Sequence, residues 1–105
     1  MSDDAATADR VTALVEAELA AFDGTTRAGR MLLEDFARLR VAPRPVSVRF
    51  SGGFVQRCWT VTRSNGAYSV VYMPRAGYFS LCVDTDLGPV DIAVHGPALA
   101  VFGAV

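Results

Sequence analysis

The side chains best equipped for chemistry in this sequence are a single histidine, His95, two cysteines, Cys58 and Cys82, and several serines and aspartates toward the C-terminal end. In the strand register that the turns dictate, His95 lies beside Ser80 with Cys82 on the diagonal. Side chains facing each other on adjacent strands stand about 4.5–5.5 Å apart. An imidazole next to a hydroxyl or thiol can activate it as a nucleophile, so His95, Ser80 and Cys82 are the catalytic candidates. The set lacks a carboxylate to orient the imidazole. Asp91 is four residues away on the same strand, about 13 Å at the usual strand rise, and no glycine-rich loop leading into a helix offers an oxyanion hole.

Asp84, Asp86 and Asp91 bracket one tight turn and form a candidate oxygen-ligand set for a hard cation. Turn chemistry accounts for the same residues, since Asp is a good turn former. Cys58 and Cys82 lack zinc-site spacing. They fall at different levels of the sheet, beyond the roughly 7 Å between Cα atoms that a disulfide tolerates. They read as two reduced thiols. No nucleotide or cofactor motif is present, and no cofactor is expected.

The elements that position these groups follow from periodicity. From residue 8 to 22 the apolar positions Val11, Leu14, Val15, Leu19 and Phe22 recur at helical spacing, and Gly24 can end the helix. A second helix is expected over 27–40, with Met31, Leu32, Phe36 and Leu39 as its apolar stripe, stopped by Pro43 and Pro45. Residues 1–6 are polar and expected to be disordered. From residue 45 onward the period becomes two. Gly52-Gly53, Asn65-Gly66, the 74–77 loop and the 86–89 turn separate successive strands. The turns align Trp59 with Tyr72, Val70 with Leu81, Leu81 with Val94, and Asp84 with Asp91. Val46, Val48 and Phe50 are then expected on the same face as Trp59, Val61, Val70, Tyr72, Phe79, Leu81 and Val83.

The expected fold is α+β, a single domain over 1–105. Two N-terminal helices (8–40) pack on one face of a five- to six-stranded antiparallel meander (45–105). The opposite face would be open, and its strip of Cys58, Val71, Met73 and Tyr78 is the expected interface, joined by Phe102 if the last segment is a strand. Leu99 to Val105 reads equally as an edge strand or as a short helix begun by Pro97.

Composition sets the function classes. The chain is 105 residues long and 51% apolar, with mean hydropathy +0.29. A domain this small has much surface per volume, so apolar side chains are expected outside the core, where a homodimer or another protein partner would cover them. The net charge is −1, from ten basic residues, all Arg, and eleven acidic ones read as spread along the chain. That balance offers no basic footprint for nucleic acid and no polybasic membrane anchor. The N-terminus is acidic where a signal peptide is basic, and no apolar run reaches membrane-span length. A cytoplasmic location is expected. The leading expectation is a non-enzymatic protein-binding module, such as an adaptor, inhibitor or immunity-type partner, using the open sheet face. The alternatives are a small hydrolase or transferase built on His95 with Ser80 or Cys82, and a small-molecule binder.

Overall fold

A computed structural model describes residues 3–105, in the order α1 (Asp3–Ala21), α2 (Arg27–Leu39), β1 (Pro45–Arg49), β2 (Val55–Thr60), β3 (Tyr68–Met73), β4 (Tyr78–Thr85), β5 (Gly88–Gly96) and α3 (Ala98–Phe102). The α1 helix opens at Asp3, earlier than its apolar stripe alone implies. Asp3 and Asp4 in its first turn complement the helix dipole, and Asp4 is held by a two-bond fork from Arg57 at 2.8 and 2.6 Å. Residues 1 and 2, the remainder of the segment expected to be disordered, lie outside the described residues. Thr26 caps α2, its hydroxyl accepting from the Gly29 N–H at 2.9 Å. A Cβ at Gly29 would come within 2.5 Å of the Asp23 carbonyl oxygen, so the α1–α2 connection requires glycine there. The C-terminal alternative resolves as a helix. Pro97 opens α3, and Phe102 packs edge-on against Phe36 with ring centroids 5.3 Å apart.

The sheet is mixed and closes into a five-stranded barrel, not an open meander. Neighbouring strands pair antiparallel in chain order, and β1 closes on β5 through a parallel bridge, Arg49 to Val90. The closure traces to one residue of register. With Gly52 and Gly53 as a two-residue loop, Phe50 would stand opposite Val55. Instead Phe50 donates its N–H to the Phe54 carbonyl, leaving Ser51, Gly52 and Gly53 as the loop, with both glycines at positive φ (87° and 84°). Val46 therefore faces Cys58 and Arg49 faces Val55. A one-residue slip moves every side chain of a strand to the other face. Val46, Val48 and Phe50 turn away from Trp59 and fill the side that was expected to stay open.

Two cores result. The outer one buries Val11, Val15, Phe36 and Leu39 of the helices with Trp59, Val70, Tyr72, Phe79, Leu81 and the α3 residues. The inner one, within the barrel, buries Val48, Cys58, Val71, Met73 and Cys82, with Val46, Phe50 and Tyr78 packed against it. The alignments of Trp59 with Tyr72, Val70 with Leu81 and Leu81 with Val94 stand as expected. The Asn-Gly turn reaches the same register differently. Asn65 pairs with Tyr68 across Gly66-Ala67, and Val61 and Thr62 both donate to the Val70 carbonyl, a bulge that restores the alignment. No helix among the described residues is long and apolar enough to cross a membrane.

Candidate functional site

The decisive local feature lies in β5. Leu81 pairs with Val94, but the next residue of β4, Cys82, pairs with Asp91, so Ile92 and Ala93 are extruded as a bulge. Ala93 sits at φ 62°, a left-handed conformation uncommon for a residue with a Cβ. The bulge corrects two expectations. Asp84 pairs with Pro89, not Asp91. Asp91 and His95, too far apart in a regular strand, come into contact: the Asp91 Oδ1 lies 3.0 Å from the His95 Nε2.

The same Asp91 Oδ1 accepts a hydrogen bond from the Ser80 hydroxyl. Ser80 is fully buried, and the Asp91 side chain is only 9% exposed. His95, half-exposed, stacks on Tyr78 with ring centroids 4.5 Å apart and planes 19° apart. The carboxylate is thus the hub, with serine and histidine as its two spokes. A hydrolytic triad needs the histidine in the middle, taking the serine proton with one nitrogen and facing the carboxylate with the other. Here the Ser80 hydroxyl donates to Asp91 directly, which stabilises a buried carboxylate and does not activate a nucleophile.

The thiols are equally quiet. Both cysteines are free and have no exposed surface. Burial, reinforced by the Asp91 charge, pushes the Cys58 thiol up to about 11. Burial and then Asp91, with smaller contributions from Cys58 and Asp84, push Cys82 up to about 12, opposed by a hydrogen bond from Ser80. A thiol that stays protonated is a poor nucleophile.

The aspartates disperse. Asp84 accepts from the hydroxyls of Ser64 and Ser69, the latter at 3.1 Å, while Asp91 points into the barrel network. Among the described residues no three His, Cys, Asp or Glu side chains are grouped so as to hold a metal ion. The strip expected to form an exposed interface is internal: Cys58, Val71 and Met73 belong to the inner core, Phe102 to the outer one, and Tyr78 is half-buried beneath His95. For Cys58, Val71 and Met73 the physical reason is the β1 register, which supplies Val46, Val48 and Phe50, while Phe102 is covered by Phe36 of α2.

What remains uncovered is the part of the outer face of β1 and β2 beyond buried Trp59. Ser47 and Arg49 alternate with inward Val46 and Val48, and face exposed Arg57 and Val55 on β2. Four large exposed apolar side chains lie on or beside this sector: Phe54 (68% exposed) and Val55 at the β1–β2 hairpin, Leu87 in the β4–β5 turn and Ile92 in the bulge. Two open apolar grooves of about 510 and 580 Å³ flank α1 elsewhere, sharing Glu18, Ala21 and Pro97. The Glu18 carboxylate between them is engaged with the α3 N–H groups of Ala98 and Leu99 at 2.8 and 3.0 Å.

A sequence signal for the outer face was present. The charges are not evenly spread: from Phe36 to Val83 there is no Asp or Glu, and seven of the ten Arg fall in that stretch. Arg38, Arg40 and Arg57 pair with Asp35, Glu16 and Asp4. Arg44, Arg49 and Arg75 make no ion pair among the described residues. No family model, curated protein or solved structure matches the chain.

Proposed function

We propose that this chain is a non-catalytic protein-binding module whose contact surface is the outer face of β1 and β2, extended by the Ile92 bulge of β5. One observation carries the reading: Arg49, exposed and without an ion pair among the described residues, stands across from exposed Val55 on β2 and bridges Val90 on β5, with exposed Phe54 and Ile92 close by in those segments. Large apolar and Arg side chains are the residue types that anchor protein interfaces. The competing hydrolase reading loses support from the same geometry that gathers its residues. Ser80 and Cys82 are sealed inside the barrel, and the carboxylate takes the place the histidine would need. A small-molecule reading has little room inside the barrel, whose interior is occupied by Val48, Cys58, Val71, Met73 and Cys82. The same face of a second copy would bring no Asp or Glu from β1 or β2 to pair with Arg49 and Arg75, so a different chain is the better partner.

The test is site-specific photo-crosslinking in the native cell. A crosslinking residue in place of Phe54 is expected to give a discrete protein adduct that disappears when Arg49→Glu is added. The same residue in place of Ala20, exposed on α1, is expected to give none. Equal adducts from both positions, or none from Phe54, would refute the assignment.

A further inference from the structure

Beside the β1–β2 face lies a depression of about 370 Å³, walled by Val55, Gln56, Arg57, Trp59, Pro74 and Arg75 and closed on one side by the first turn of α1. Arg49 stands directly across from Val55 on the neighbouring strand. Arg57 lies 5.4 Å above the Trp59 ring, and its fork grips the Asp4 carboxylate. The chain's own acidic segment, Asp3-Asp4, therefore already occupies part of this surface in the geometry that arginine offers a carboxylate. Arg49 and Arg75, both exposed and without an ion pair among the described residues, flank the remainder.

We infer that this surface receives a carboxylate-rich segment of a partner protein, with Asp4 acting as an internal competitor for Arg57. The inference rests on the protein-binding reading and specifies the partner's chemistry. Charge complementarity selects an acidic chain: Arg49 and Arg75 make no ion pair among the described residues, β1 and β2 carry no Asp or Glu, and the carboxylates that border the face, Asp3 and Asp4, come from α1, with Asp4 engaged by Arg57. Exposed Phe54 and Val55 select a segment that carries apolar side chains between its carboxylates. A nucleic acid fits less well, because Arg49 and Arg75 are two cations, short of the run of phosphate contacts that carries nucleic-acid affinity.

The experiment titrates the full chain with a short capped peptide alternating Asp and Leu, read by Trp59 fluorescence. Its counterpart alternating Asn and Leu and a thymidine oligonucleotide are the comparison probes. The Asp peptide is expected to bind, and Arg49→Glu with Arg75→Glu to weaken it about tenfold or more. Asp4→Asn is expected to tighten binding about threefold by releasing Arg57. Asp9→Asn, the same charge change on α1 outside the depression, is expected to leave it unchanged. Circular dichroism checks that each variant is folded, and Arg49→Gln with Arg75→Gln repeats the test if the reversals do not fold. Equal binding of the Asn and Asp peptides, sensitive to Phe54→Ser, would overturn the acidic specificity while leaving the protein-binding face standing. Tighter binding of the oligonucleotide would overturn the inference in favour of a nucleic-acid surface. No binding by either peptide, or equal effects of Asp4→Asn and Asp9→Asn, would overturn it outright.

Discussion

Val48 and Arg49 are consecutive residues of β1 with opposite fates. Val48 has no exposed surface and helps fill the barrel, while Arg49 stands in solvent without an ion pair among the described residues. The same alternation runs through β2, where Cys58 and Gln56 face inward and Arg57 and Val55 face out. The interior holds both thiols and the Ser80 hydroxyl, and Ser80 donates to Asp91, which also meets the half-exposed His95. The exterior of β1 and β2 leaves Arg49 without an ion pair among the described residues and Val55 exposed. Reactive residue types, when buried and hydrogen-bonded, stabilise a fold. Ordinary ones, left exposed and without an ion pair, make up the contact surface proposed above.

The comparison breaks first at Met73. If the interior is closed, Met73→Arg places an unpaired charge among Val48, Cys58 and Val71 and should cost about 4 kcal/mol or more, enough to unfold a small domain. Arg49→Ala should stay within about 0.5 kcal/mol in the same urea melts. Comparable midpoints for the two variants would mean that the sheet is open.

Asp91 supplies the next largest effect. Asp91→Ala removes the acceptor for both Ser80 and His95 and should cost about 2–3 kcal/mol. His95→Ala removes one half-exposed partner and should cost no more than about 1 kcal/mol. A reversed order would make the imidazole, not the carboxylate, the organising group.

A third test uses the thiols. Their acid forms are favoured in the folded state, with values near 11 and 12 against about 8.5 in an unfolded chain. The unfolded state therefore loses protons first as pH rises. The contribution is fully present below about pH 8.5 and is lost progressively up to about pH 12. Stability should fall across that window, and less steeply in a Cys58→Ala, Cys82→Ala variant. The chain has no Lys to obscure the comparison. Identical slopes would place the thiols in solvent. The smallest effect is at the bulge: Ala93→Gly relieves the positive φ and should raise stability by about 0.5–1 kcal/mol in a denaturant melt. A loss there would mean that Ala93 is not left-handed in solution.

These contrasts also show what the sequence made legible. Alternation and the 74–77 loop give the alignment of Val70 with Leu81, because both signals are local, whereas Trp59 meets Tyr72 as expected only because the bulge at Val61 and Thr62 offsets the Asn65–Tyr68 pairing. The β1 register was not legible, since Ser51-Gly52-Gly53 supports a two- or a three-residue loop and the apolar residues of β1 suit either core. The β5 bulge gave no local sign either: Ile92-Ala93 carries no glycine, and its left-handed residue is held by pairing on both sides. Missing that bulge hid the Asp91–His95 contact. The segregation of Arg into 36–83 was readable, but net charge alone conceals it.

The most direct measurement is an amide-resolved NMR titration of the full chain with the Asp-Leu peptide, because it reports where binding occurs as well as whether. Shifts centred on residues 49–57 and on Arg75 and Ala76, with Ser80, Asp91 and His95 unchanged, are the predicted result. Shifts centred on Asp91 and His95, or on the grooves beside α1, would contradict the division between a structural interior and a binding exterior.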